Sequence, residues 1–196
     1  MYKSLFKRGL DILMSLLLLL PIILICVPFA VAIKIEDHGP VMYNGERLGK
    51  NMRKFKMFKL RTMDHNAPDV RNSDGSTFNS YNDTRVTKVG KFLRKSSIDE
   101  LPQILNVLIG DMSFVGPRPS PLGNESRYTD EFKIKFSVRP GITGLNQALL
   151  RNTATMEERT KNDVYYVMNL SPILDLKIVV MTFFSVLKQK NIARND

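Results

Sequence analysis

From Ile12 to Ile33 the chain reads ILMSLLLLLPIILICVPFAVAI, a run without a single charged side chain. As a helix it would rise about 33 Å, enough to fill the hydrocarbon core of a bilayer. A cleaved signal peptide is excluded by the length of the run and by the sequence after it, since Lys34-Ile35-Glu36-Asp37 offers no small-residue cleavage site. Lys3, Lys7 and Arg8 precede the run, and Lys34, Arg47, Lys50, Arg53, Lys54 and Lys56 follow it. Positive charge on both flanks draws both ends to the same side of the membrane. Pro21 stands near the middle and Pro28 further on, and an interior proline removes a helix hydrogen bond at a cost of about 3 kcal/mol. Two forms stay open on these facts: a segment that breaks at Pro21 and returns to the side it entered, or a kinked single span. Asp11, at the entrance, is expected to pair with Lys7 and Arg8 one helical turn away.

The 196 residues, 43% of them apolar, predict one compact domain beside this anchor, divided as 1–35 and 36–196. The formal charge of +10 calls for a polyanionic neighbour, whether nucleic acid, anionic lipid or a phosphorylated substrate. Cys26 is the single cysteine and lies inside the apolar run, so there is no disulfide framework and a body in a reducing compartment is natural.

The fold class expected is mainly α with a small β-hairpin. The hairpin is read from Val41-Met42-Tyr43 and Phe55 to Leu60, with Asn44-Gly45 and Gly49-Lys50 between them. Asp64 to Asp83, rich in Asn, Asp, Ser and Gly, reads as a loop, either a plain connection or a lid. Ile98, Leu101, Ile104, Leu105 and Leu108 predict a helix over 98–109 that stops at Gly110. The stretches 110–119 and 139–144 read as Pro- and Gly-stiffened turns. A helix is predicted over Met156 to Met168, and Ser171-Pro172 opens another through Leu187, apolar enough to be a core helix or an interfacial one.

Asp99-Glu100 is the pair best placed to carry chemistry. Ser97-x-x-Glu100 matches a capping box, which would give the acids a purely structural role. Capping uses one acid, however, and adjacent carboxylates can instead act as nucleophile and proton handler or metal ligand. Arg118, held between Pro117 and Pro119, presents a planar fork suited to phosphate oxygens, and Arg94 and Arg151 would add to an anion site. Glycine-rich phosphate loops and His or Cys metal spacings are absent from the sequence, and His38 and His65 read as isolated surface residues.

Lys7-Arg8 with Asp11, Phe58-Lys59-Leu60-Arg61-Thr62-Met63, Val89 to Arg94, Asp99-Glu100-Leu101-Pro102-Gln103, Asn106 to Pro119, Arg139-Pro140-Gly141-Ile142-Thr143-Gly144 and Asp163 to Val167 form an ordered set of segments. Together they resemble the small monotopic phosphoglycosyl transferases, bacterial sugar transferases that begin glycoconjugate assembly on a polyprenyl carrier. The resemblance runs nearly end to end. It implies a re-entrant membrane helix broken at Pro21 and a catalytic body with interfacial helices on the cytoplasmic face of the bacterial inner membrane. Asp99 and Glu100 would be the catalytic pair and the ligands of Mg²⁺, while Lys59, Arg94, Arg118, Arg151 and Asp163 would bind substrate. UDP-sugar, polyprenyl phosphate and membrane lipid are the implied partners, with downstream glycosyltransferases as further contacts and no nucleic acid. Leu20-Pro21 departs from the Ser-Pro often found at the break, and the multi-span extension of larger relatives is expected to be lacking.

The implied reaction has Asp99 attack the β-phosphorus of UDP-sugar with release of UMP, followed by transfer of the sugar phosphate to polyprenyl phosphate. An ordinary aspartate, with a pKa near 3.9, would be ionised for this at neutral pH without a base. Two rivals differ in observable ways. A glycosyltransferase moving only the sugar would release UDP, and a non-enzymatic membrane adaptor would show no turnover.

Overall fold

The computed structural model describes residues 5–70, 83–150 and 154–187. Arg151 and most of the 64–83 loop lie outside them. Helix α1, Lys7–Asp37, contains the apolar run, with a mean hydropathy of 3.0 over its most apolar window, and is long and apolar enough to cross a membrane. Pro21 and Pro28 both lie inside it. The helical assignment runs on through Pro21 and Pro28, each of which removes one backbone hydrogen bond without ending the element. Leu13, Leu16, Leu17, Leu20 and Leu24 are exposed along its middle. Each would gain roughly 1.5–3 kcal/mol on leaving water, which makes an apolar surrounding the stable one.

Both ends of α1 are fastened to the rest of the chain. At the start Lys7 pairs with Asp175, and Arg8 donates to the carbonyl oxygens of Val107 and Leu108, in the last turn of a short helix. Asp11 accepts from Ser113 Oγ and from the Phe114 amide at 3.0 and 3.1 Å. The expected pairing of Asp11 with Lys7 and Arg8 is therefore replaced, because the two cations have partners on other elements. At the far end Ile33 is buried with Leu60 and Leu93, and Asp37 holds Arg61 through two hydrogen bonds.

Strands β1, Met42–Leu48, and β2, Lys54–Leu60, form the predicted hairpin in full register from Met42 opposite Leu60 to Leu48 opposite Lys54. Asn44-Gly45 lies within β1; the chain reverses over 49–53, where Asn51 and Met52 take left-handed φ. The predicted 98–109 helix is two pieces, a 3₁₀ segment Ile98–Gln103 and an α-helix Ile104–Ile109 ending on Gly110 at φ 102°. Pro102, with no N–H to donate, lies in the first piece. Between β2 and this segment runs helix α2, Lys88–Ser96, so that Ile104–Ile109 is α3.

The two motif stretches read as turns pair with each other. Ser113–Val115, β3, runs parallel to Gly141–Thr143, β5, while Ser120–Pro121, β4, adds to the free edge of β1. Three-residue strands are too short for alternation to betray them. After the single turn α4, Asp130–Lys133, and the short α5, Leu145–Leu149, come the two longer helices predicted from the sequence, α6, Met156–Met168, and α7, Pro172–Leu187. Val115, Tyr166, Val167, Leu170 and Ile178 make the core between them. Helix α7 is both core and surface: Ile178 is fully buried, whereas Ile173, Leu176, Phe183 and Phe184 are exposed.

Candidate active site

Asp99 and Glu100 sit in the first turn of the 3₁₀ segment, and the capping box does not form there. Ser97 has a left-handed φ of 60° and makes no side-chain cap bond. The box with that spacing is instead at Thr155 and Glu158, opening α6. Glu100 therefore has no capping duty, and its carboxylate faces cations: Oε1 accepts from Arg118 Nη2 at 2.8 Å and lies 3.6 Å from Lys59 Nζ. Lys59 stands on β2, which packs against the 3₁₀ segment, and its Nζ is 2.6 Å from Asp99 Oδ2.

Asp99 is 2% exposed. Burial pushes its pKa up, Lys59 and Arg94 pull it down, and the neighbouring Glu100 adds to the rise; the net direction is upward. The expectation of an unperturbed carboxyl is corrected by that burial, which the contact with Lys59 opposes in part. Glu100 behaves oppositely. Its desolvation is outweighed by Arg118 and Lys59, which hold it below the usual range. Two adjacent carboxyls with pKa values pushed apart are suited to different roles.

Arg94 reaches the same place from α2. Gly90 lets this helix press onto the end of β2, since a Cβ there would lie 2.0 Å from the Thr62 carbonyl oxygen, and Arg94 Nε donates to Thr62 Oγ1 at 3.0 Å. Arg118 is delivered by the paired strands. Gly116 N donates to Thr143 O and Gly141 N to Pro117 O, which ties the Pro117-Arg118-Pro119 loop down on both sides. Asp99, Glu100, Lys59, Arg94 and Arg118 are therefore brought together. They line one broad depression in the surface.

Asp163 lines the same depression but is engaged in another network. It is buried, 3.0 Å from Lys135 Nζ, and accepts from Asn146 at 3.1 Å. Sequence reasoning missed Lys135, which lies over the Phe132 ring, and Gln147, whose amide oxygen and nitrogen are both buried without a partner among the described residues. A lysine in Ile134-Lys135-Phe136 gives no local signal, because its apolar setting comes from distant elements. His38 and His65 are exposed, as read from the sequence, but His65 is not isolated: its ring lies within 4.8 Å of the carboxylates of Asp37 and Asp64.

The donor set at Asp99 and Glu100 fits a hard divalent ion. Mg²⁺ is characteristically held by one or two carboxylates together with substrate phosphate and water, and two adjacent carboxylates on an open depression provide that.

A family model for the bacterial sugar transferases matches residues 2–189. The chain belongs to that family. Among similar proteins of this family is the UDP-glucose:undecaprenyl-phosphate glucose-1-phosphate transferase of Klebsiella pneumoniae, 41% identical over 91% of this chain and 39% of its own length. The transferase of the same description from Caulobacter vibrioides is 40% identical, over 94% of this chain and 71% of its own length. The exopolysaccharide production protein PSS of Rhizobium leguminosarum bv. phaseoli is 38% identical and matched over 92% and 94% of the two lengths. This family member spans about two fifths of the Klebsiella protein.

Proposed function

We propose that this protein is a phosphoglycosyl transferase that moves a sugar 1-phosphate from a UDP-sugar to a polyprenyl phosphate. The observation that carries the reading is a buried carboxylate, Asp99, held against Lys59 beside a second carboxylate clasped by Arg118. The names of the relatives supply the substrate class.

In the first half-reaction an Asp99 oxygen attacks the β-phosphorus, the bond from that phosphorus to the bridging oxygen breaks, and UMP leaves. The product is an aspartyl phosphosugar. In the second half an oxygen of polyprenyl phosphate attacks the same phosphorus and Asp99 leaves as the carboxylate, forming a polyprenyl diphosphate sugar. Splitting the transfer keeps the two anionic substrates from having to meet. Arg94 and Arg118 hold phosphate oxygens, and Lys59 favours the ionised form of the nucleophile and orients it. Asp99 and Glu100 would hold Mg²⁺, which supplies charge neutralisation on the diphosphate when bound.

The two-ended attachment of α1 supports a reading of the membrane arrangement. With Lys7, Arg8 and Asp11 bound at one end and Ile33, Glu36 and Asp37 at the other, both ends belong to one body. The reading this supports is a helix that enters and leaves by the cytoplasmic face, with the exposed apolar side of α7 in the interface. Tyr2→Cys in a Cys26→Ser background should therefore resist an impermeant thiol reagent in intact cells and react after permeabilisation. Labelling from outside would mean a true span.

The activity itself is tested by incubating the purified chain with a panel of UDP-sugars and polyprenyl phosphate. UMP should appear, and excess chelator should stop its release. Release of UDP would point to sugar transfer alone, and turnover in chelator would remove the metal from the account.

A further inference from the structure

The membrane helix ends in carboxylates that reach, one each, the three elements delivering the cations of the site. Glu36 is the clearest. Its Oε1 accepts from the Lys88 amide at 2.7 Å and its Oε2 from the Val89 amide at 3.2 Å, while Thr87 Oγ1 accepts from Gly90 at 2.9 Å. The first three amides of α2 are thus satisfied, two of them by a residue that lies on α1. Six residues on from Lys88, α2 carries Arg94, seated on Thr62. Phe29 stacks on Phe92, and Leu93 is buried against Ile33, so the same helix face is tied to α1 along its length.

The other two carboxylates repeat the pattern. Asp37 grips Arg61 through two hydrogen bonds, and Arg61 follows Lys59 by two residues at the end of β2. Asp11 takes the Phe114 amide and the Ser113 hydroxyl of β3, the strand that runs directly into Gly116-Pro117-Arg118. Tethering alone would need none of these contacts, because an apolar helix partitions into lipid on its own.

We propose that α1 is the frame on which the cations of the active site are assembled, with Glu36 a positioning residue for Arg94, Asp37 for Lys59 through Arg61, and Asp11 for Arg118 through β3. The proposal rests on the transferase reading above. Glu36 touches no reacting atom; it acts by fixing where α2 begins. A carboxylate supports that better than a neutral acceptor, since it meets two amides at the positive end of the helix.

The experiment is a double-mutant cycle in the full chain reconstituted in lipid nanodiscs, with UMP release as the measured rate. Glu36→Ala should lower kcat about tenfold with little change in the KM for UDP-sugar, and Arg94→Ala should lower it further. Combining them should give the Arg94→Ala rate, because a group that acts only through Arg94 has nothing left to position. Glu36→Gln, which keeps one acceptor oxygen, is assayed beside them and should fall between wild type and Glu36→Ala with the same dependence on Arg94. It also serves as the test should Glu36→Ala not fold. Independent losses that multiply in the double variant, or full kcat in the Glu36 variants, would overturn the proposal. Absence of UMP release from the wild-type chain would instead strike the transferase reading, so the two failures are distinct.

Discussion

Replacing Asp99 with Asn should abolish UMP release, with kcat falling by about three orders of magnitude or more. The amide has nearly the shape of the carboxylate but cannot form an acyl phosphate. The same change removes the partner of the Lys59 ammonium, 2.6 Å away, and leaving one member of a buried pair costs about 3–5 kcal/mol. Glu100, 3.6 Å from the same nitrogen, offsets part of that cost. Rates are therefore compared per folded molecule, from a thermal melt run on each variant. The decisive measurement is intact mass after incubation with UDP-sugar alone. Wild type should gain the mass of a sugar phosphate, and the Asn variant should not; an Asn variant that carries the adduct would falsify Asp99 as the nucleophile.

Gly141→Ala should be the most damaging conservative change outside the chemical groups. A Cβ at this position would lie 2.1 Å from Gly116 N, 2.3 Å from Thr143 O and 2.7 Å from Val115 C, all of them backbone atoms that cannot swing aside. Gly116 is equally confined, its own Cβ position being 2.5 Å from Arg139 O. The β3 and β5 backbones must separate, which costs about 3 kcal/mol or more. For a chain of this size that corresponds to a fall in Tm of at least about 6 °C. The loop bearing Arg118 hangs from this contact, so the fraction that stays folded should also bind UDP-sugar more weakly. A Tm within about 2 °C of wild type would show that the strands can part cheaply, a threshold set by the usual size of surface effects.

These two residues illustrate what can be seen in the sequence and what cannot. The pair Asp99-Glu100 and the arginine between two prolines are visible because their chemistry is unusual for their position. The long element α7 is visible because Ser171-Pro172 marks its opening and an unusually apolar stretch follows. The parallel pairing of Ser113–Val115 with Gly141–Thr143 is hidden, since glycines that permit close backbone approach look in one dimension like turn formers. Spacing alone puts a capping box at Ser97, while the structure forms one at Thr155, where β-region φ and ψ allow the hydroxyl to reach back. Lys135 and Gln147 are invisible for a related reason: burial of a polar side chain is a property of the neighbours brought by the fold. The elevated pKa of Asp99 belongs to the same class, because the burial that causes it comes from the packing of β2 on the 3₁₀ segment.

The two-ended fastening of α1 bears on modularity. Anchors that merely tether can be exchanged among proteins like interchangeable parts. Here a chimera carrying an unrelated apolar helix of equal length would lack Asp11, Glu36 and Asp37, and with them the attachments to β3, α2 and Arg61. Cutting at residue 35 to obtain a water-soluble fragment would expose Leu60 and Leu93, which Ile33 now covers. Recombination during evolution meets the same obstacle, so extra segments are more easily accepted ahead of Lys7 than in exchange for the helix that begins there.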